Sequence, residues 1–279
     1  MVKKKKTSKK DRPVKRVRRR LFLVALILLG VASVGATFWL LYPRPSSEVP
    51  ISLNCPQASN GEKVAAIIDG LSIDFPNQEL IDELKSLLSS NGYVVDVFQG
   101  SDVTLNLYRC IPSMGYDLII FRIHSAIFNP QLVPKEELFP AFFTTEEYSM
   151  EKYLNEQFSG LVVPAVPITP GLSSTETTQY FAVTPGVFVQ ASGRFKNTVI
   201  IVSSCFSAIT DKAAKVFLEK GASAYIGWND LVSVEHMDRA TLLLIQEIVK
   251  GTSPYDAVSK VNTTLGPDPN SGGRLLIFR

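Results

Sequence analysis

Apolar residues in this chain fall into short unbroken runs, separated by stretches in which they recur every three or four positions. The runs KVAAIID (63–69), YVVDVFQG (93–100), DLIIFRI (117–123), TVIIVSS (198–204) and ASAYIGW (222–228) are brief and rich in branched side chains. That is the pattern of strands buried on both faces. After the first run, Leu80, Ile81, Leu84, Leu87 and Leu88 fall on one helical face, with Asn77 placed to cap the start and Gly92 to end it. Helices are predicted again at 211–221 and 236–251. A final helix opens at Ser253, with Pro254 in its first turn and Asp256 at the third position. RLLIFR (274–279) reads as a last strand, and VTLNLYRCIPSMG as a short strand with a connection. Strands alternating with amphipathic helices predict an α/β domain over 63–279, with a mostly parallel sheet covered on both faces.

Residues 127–196 break the rhythm. They are rich in proline and aromatic residues, and read as irregular insertions at the edge or top of the sheet. Within them YFAV (180–183) and VFVQA (187–191) suggest a small hairpin.

The N-terminus follows different rules. Residues 21–42 run 22 positions without a charge. At about 1.5 Å per residue, a helix of that length covers the roughly 30 Å core of a bilayer. A cleaved signal peptide would have a shorter apolar core and a small-residue cleavage site. Here the run ends in Phe38, Trp39, Leu40, Leu41 and Tyr42, which suits an aromatic belt. Residues 2–20 carry twelve Lys/Arg and one acid. The reading is an uncleaved transmembrane helix (21–42) behind a basic cytoplasmic tail (1–20), followed by a Pro/Ser-rich linker (43–62). The C-terminal domain then lies on the far side of the membrane.

Charge sharpens that division. The chain is formally +3, but without residues 1–20 it has 17 basic against 25 acidic residues, a balance of about −8. The basic block serves as a topology signal touching anionic headgroups, so no nucleic acid is expected as a partner. Disulfides are permitted outside. Of the three cysteines, Cys55 and Cys110 either pair, leaving Cys205 free, or stand as buried thiols. There is no CxxC and there are only two histidines, which argues against a structural zinc. Glycine-rich phosphate loops are also missing from the sequence.

The candidate chemistry sits at two strand ends. His124 follows the third apolar run and Cys205 the fourth. In open α/β sheets function collects at the carboxyl ends of strands. Neighbouring strands would put a thiol beside an imidazole. The imidazole can take the thiol proton, and a helix starting beyond Cys205 would lower the thiol pKa further. The thiolate attacks a carbonyl, and backbone N–H groups near Cys205 and Ser125 hold the oxyanion. His236 is the rival base, but it lies near a helix start with no cysteine partner.

The stretches YDLIIFRIHSA (116–126) and TVIIVSSCFSA (198–208) resemble the catalytic strands of clan CD cysteine peptidases, the caspase-like group that includes gingipains and clostripain. AAKVFLEKGASAYIGWND (213–230) is similar to the segment after the cysteine in gingipain-like and CHAT domains. The resemblance spans about 63–265. It implies a three-layer caspase-like sandwich and a His124/Cys205 dyad acting on protein or peptide substrates. Calcium is the one cofactor it would add, as in some members. The group has Gly after the histidine where this chain has Ser125. A first-residue pocket on that plan would draw on Asp69, Trp228 and Asp230, and an acid beneath an aromatic wall would favour Arg or Lys. The reading from another class is a non-catalytic caspase-like ectodomain that binds a protein or peptide partner. A flavodoxin-like ligand-binding domain is a third. Asn262-Thr263-Thr264 matches the N-glycosylation pattern, inside a predicted helix.

Overall fold

The computed structural model describes residues 54–127, 134–167 and 178–279. The tail, the apolar run at 21–42 and most of the linker lie outside the described residues. Among the described residues no helix is long and apolar enough to cross a membrane. Leu53–Arg279 forms one compact unit.

The first sheet holds β1 (Lys63–Asp69), β2 (Tyr93–Gln99), β3 (Leu118–Arg122), β8 (Val199–Ser203), β9 (Ala224–Trp228) and β10 (Leu275–Phe278). Their spatial order is β10-β9-β8-β3-β1-β2. All pairings are parallel except β10 with β9. The apolar runs therefore became strands where the sequence placed them, and the fold is mixed α/β with a mostly parallel central sheet.

The strands feed two cores by simple alternation. Val64, Ala66 and Ile68 of β1, Ile119 and Phe121 of β3, and Ile200 and Val202 of β8 face one core. Ala65, Ile67, Leu118, Ile120 and Ile201 face the other. The second core is covered by α1 (Gln78–Ser90), α6 (Val234–Val249) and α7 (Pro254–Leu265). Asn77 caps α1 as expected, its Oδ1 accepting from the Leu80 N–H at 3.2 Å. Leu80, Ile81, Leu84 and Leu88 are all buried there, each contributing about 1.5–3 kcal/mol. An acid at Leu84 would cost that contribution and bury a charge. The first core is covered by α2 (Leu105–Cys110), α4 (Gly186–Gln190) and α5 (Lys212–Glu219).

Three expectations need correction. Residues 105–110 are a helix, not a strand, because Thr104 accepts from the Leu107 N–H and Tyr108 and Cys110 turn into the core. Residues 186–190 are also helical, because Val187 and Phe188 bury on a single turn. The 127–196 region is more ordered than its composition suggests. It carries β5 (Pro140–Glu147), β6 (Val162–Ala165), the short helix α3 (Leu154–Phe158) and β7 (Tyr180–Val183). With β4 (Ser125–Ile127) the strands form an antiparallel sheet in the order β4-β5-β7-β6.

Cys55 and Cys110 are joined in a disulfide, with Cα atoms 5.2 Å apart, and Cys205 is the free cysteine. Their separation of 55 residues gives a loop-closure stabilisation of about 4 kcal/mol. Asn262 uses its whole amide on β10, donating to the Leu275 carbonyl at 2.9 Å and accepting from the Leu275 N–H at 3.2 Å. In this fold the glycosylation pattern is thus a structural cap.

Candidate active site

β3 and β8 are hydrogen-bonded neighbours, with Arg122 opposite Ser203. Two residues further along each strand come His124 and Cys205. The strand ends touch: the Ser125 hydroxyl donates to the Cys205 carbonyl, and the Ser204 hydroxyl donates to Ser125. Ser125, expected at the oxyanion, thus has its side chain tied to the cysteine's backbone.

His124 sits where the first sheet gives way to the second. Its carbonyl accepts from the Phe143 N–H of β5 at 3.0 Å. Its ring lies between Phe75 at 5.8 Å and Phe143 at 5.6 Å, measured between ring centroids. Nε2 faces the Asp74 carboxylate at 3.4 Å. That is ion-pair range without hydrogen-bond geometry, and Nε2 is buried with no hydrogen-bond partner. A hollow of about 10 Å³, lined in part by Asp74, His124, Phe143 and Tyr180, lies beside the ring. Burial pushes the imidazole below its ordinary pKa; Asp74 pulls it back, and Arg122 adds to the depression.

The Asp74 loop is fixed by a buried charge cluster. Arg122 is 1 % exposed and Asp69 0 %. Arg122 donates through Nε and Nη2 to the two carboxylate oxygens of Asp238, at 2.8 and 2.9 Å. Nη1 reaches Asp69 at 2.8 Å, and Nη2 also donates to the Phe75 carbonyl at 2.9 Å. Asp69 further accepts from Gln99 at 3.2 Å, and Asp238 from Asn77 at 2.9 Å. Burial works against the guanidinium charge, and the two carboxylates outweigh it. Asp69 is therefore not offered to a substrate cation: its carboxylate neutralises Arg122.

Cys205 is placed by a second set of bonds. Its thiol donates to the Val232 carbonyl at 3.5 Å and packs against the core containing Trp228. No hydrogen bond joins it to His124 among the described residues. The turn that follows lies against β9. Phe206 adopts a left-handed backbone, φ 56°, and its N–H donates to the Asp230 carbonyl at 3.0 Å. Ala208 donates to the Trp228 carbonyl, and the Ser207 hydroxyl accepts from the Trp228 N–H at 2.9 Å. Gly227 permits this approach, since a Cβ there would meet Ser207 Oγ at 2.8 Å. These bonds occupy the Phe206 and Ala208 amides, so they are not free to hold an oxyanion.

The segment presenting Val232 is anchored by Asp268. Asp268 accepts from the Ser233 N–H at 2.9 Å and the Ser233 hydroxyl at 2.5 Å. Its other oxygen takes the N–H groups of Asn270 and Ser271, each at 2.9 Å, and the Ser271 hydroxyl at 3.0 Å. Burial opposes the Asp268 charge, but these donors outweigh it and hold the carboxyl well below the usual carboxylate range. For Cys205, burial pushes the thiol up and the Asp268 and Asp230 carboxylates add to it, while backbone hydrogen bonds at Val232 and Cys205 pull the other way. The expected lowering by a helix start is not found. α5 begins seven residues later, at Lys212, and burial dominates.

Of the remaining site residues, Trp228 is buried in the core and stacks edge-on to His236 at 5.6 Å. Asp230 is exposed, its carboxylate accepting from the Leu231 N–H at 2.8 Å. Among the described residues no group of three or more His, Cys, Asp or Glu gathers to hold a metal ion. Asp74 and the Arg122–Asp238 pair were missed by the sequence reading. The available signal was an arginine inside the apolar run DLIIFRI, which a buried strand tolerates only when paired.

No family model matches the chain, and no curated protein matches it.

Proposed function

We propose that the chain is a membrane-anchored cysteine peptidase of caspase-like fold, acting on protein or peptide substrates. The observation that carries this reading is the meeting of two adjacent strand ends, one bearing His124 and the other Cys205, bridged by the Ser125 hydroxyl. His124 takes the thiol proton as Cys205 attacks the scissile carbonyl. The imidazolium then protonates the leaving amine, and water cleaves the thioester. Asp74, facing Nε2, orients the ring and stabilises its charged form, leaving Nδ1 to meet the thiol. The Cys55–Cys110 disulfide supports a domain in an oxidising compartment, beyond the membrane crossed by 21–42. With Asp69 engaged by Arg122, a preference for basic residues rests on Asp230 alone.

At rest the site is latent. Burial favours a neutral thiol and a neutral imidazole, each held by its own neighbours, so substrate must bring them together. The lack of a hydrogen bond between them favours a second reading, in which the site binds a peptide without cutting it. The test uses the full chain in nanodiscs, as wild type, Cys205→Ala and His124→Ala. Each is incubated with a mixed peptide library, with and without calcium, and new termini are read by mass spectrometry. Cleavage by wild type alone is expected. Peptide retention by all three without new termini would replace the peptidase reading with the binding one.

A further inference from the structure

Outside the strand ends that carry His124 and Cys205, the fold leaves several large apolar side chains uncovered. Phe158 is 88 % exposed, Met150 77 %, Val189 60 % and Leu154 48 %. Met150, Leu154 and Phe158 follow at steps of four, and the last two share one side of α3. Local backbone strain presents them. Tyr153, just before α3, is held left-handed at φ 57°. Its ring packs on Phe181 at 5.1 Å, and its hydroxyl donates to Glu146 at 2.9 Å. Tyr153 is thereby turned inward while Leu154 points out.

The helices that carry Leu154, Phe158 and Val189 are linked to the point where the N-terminal chain joins the domain. Cys55 is bonded to Cys110 at the end of α2. α2 joins α3 through the Arg109–Glu156 ion pair, and α4, which carries Val189, through Tyr108 against Phe188 at 5.9 Å. Only twelve residues, 43–54, separate the uncharged run from this disulfide. Fully extended they reach at most about 40 Å. The disulfide therefore ties the tether to α2, whose partners α3 and α4 carry the exposed Leu154, Phe158 and Val189.

We propose that this face, built by α2, α3 and α4, rests on the lipid bilayer, with Phe158 and Leu154 entering the headgroup–acyl boundary. The proposal rests on the membrane-anchor part of the functional reading. Large apolar side chains facing water in a cluster mark an interaction surface, and interfacial docking buries such a face about 5–10 Å deep.

The test uses the full chain in nanodiscs, in a Cys205→Ser background. A bimane label is placed at Phe158→Cys, at Met150→Cys, or at Glu79→Cys on α1, which covers the other core. Brominated lipids should quench the labels at 158 and 150 roughly twofold, with a blue shift, and leave the label at 79 unchanged. Equal quenching at all three positions, or none at 158, overturns the proposal. So does a 158 label shielded from aqueous iodide but untouched by brominated lipid, which would mean that protein covers the patch. A chain that fails to co-migrate with the nanodisc sinks the anchor reading and this proposal together, whereas retention without quenching sinks this proposal alone.

Discussion

The two strand ends are anchored by opposite means. On the His124 side, the loop bearing Asp74 is held by a buried cluster of two carboxylates and one guanidinium. On the Cys205 side, the segment presenting Val232 is held by a single carboxylate, Asp268, satisfied by neutral N–H and O–H donors. The first arrangement carries charge that must stay balanced. The second spreads one charge over backbone dipoles and hydroxyls. The lesson is that the two halves of one site fail in different ways.

The largest expected effect comes from unbalancing the cluster. Arg122→Met leaves Asp69 and Asp238 buried without a cation and should cost about 3–5 kcal/mol in denaturant unfolding. A loss below about 1 kcal/mol would show that the two acids find other partners.

Next comes the Cys205 side. Asp268→Ala strips the acceptor from Ser233, Asn270 and Ser271 and should cost about 1–3 kcal/mol. It should also free the Val232 segment and speed alkylation of Cys205. Gly273→Ala should act in the same direction, because its Cβ would meet the Leu231 carbonyl oxygen at 2.3 Å. The pH sign follows from the depressed folded pKa of Asp268. Its contribution is fully present above the unfolded value of about 3.9 and is lost as pH falls toward the folded one. Wild type should therefore lose stability below about pH 4, and Asp268→Asn should lose less over that range. Equal acid sensitivity in both would assign the effect to other carboxylates.

A smaller effect concerns the thiol. Because burial raises the Cys205 pKa, its alkylation rate should climb through the alkaline range. A plateau already reached at neutral pH would mean that His124 holds a thiolate at rest, and would remove the latency described above. The smallest effect is on the histidine. Asp74 favours the imidazolium, so Asp74→Asn should move the His124 titration, followed by NMR, further down. No movement would show that Asp74 is only a neighbour.

These contrasts also mark how far the sequence could be read. Strand positions were legible because KVAAIID, DLIIFRI and TVIIVSS have few alternatives to burial on both faces. The same residues put His124 and Cys205 at strand ends. The helix at 105–110 was not legible, since VTLNLY alternates like a strand, and only Thr104 and the burial of Tyr108 decide otherwise. Asp69 looked free because its partner lies 53 residues away on the adjacent strand. Asp74 gave no signal at all. Its place beside His124 depends on the Arg122–Phe75 bond, which is a property of the folded loop.

The disulfide has one further consequence, a mechanical one. β1 lies inside the sheet, hydrogen-bonded to both β2 and β3, and begins only eight residues after Cys55. Tension applied to the chain ahead of Cys55 would, without the bridge, run directly into β1 and peel it from its neighbours. With the bridge closed, the load passes through sulfur into Cys110 and the body of α2. The central strand is shielded from pull, and a reducing agent would turn the same tether into a rip-cord.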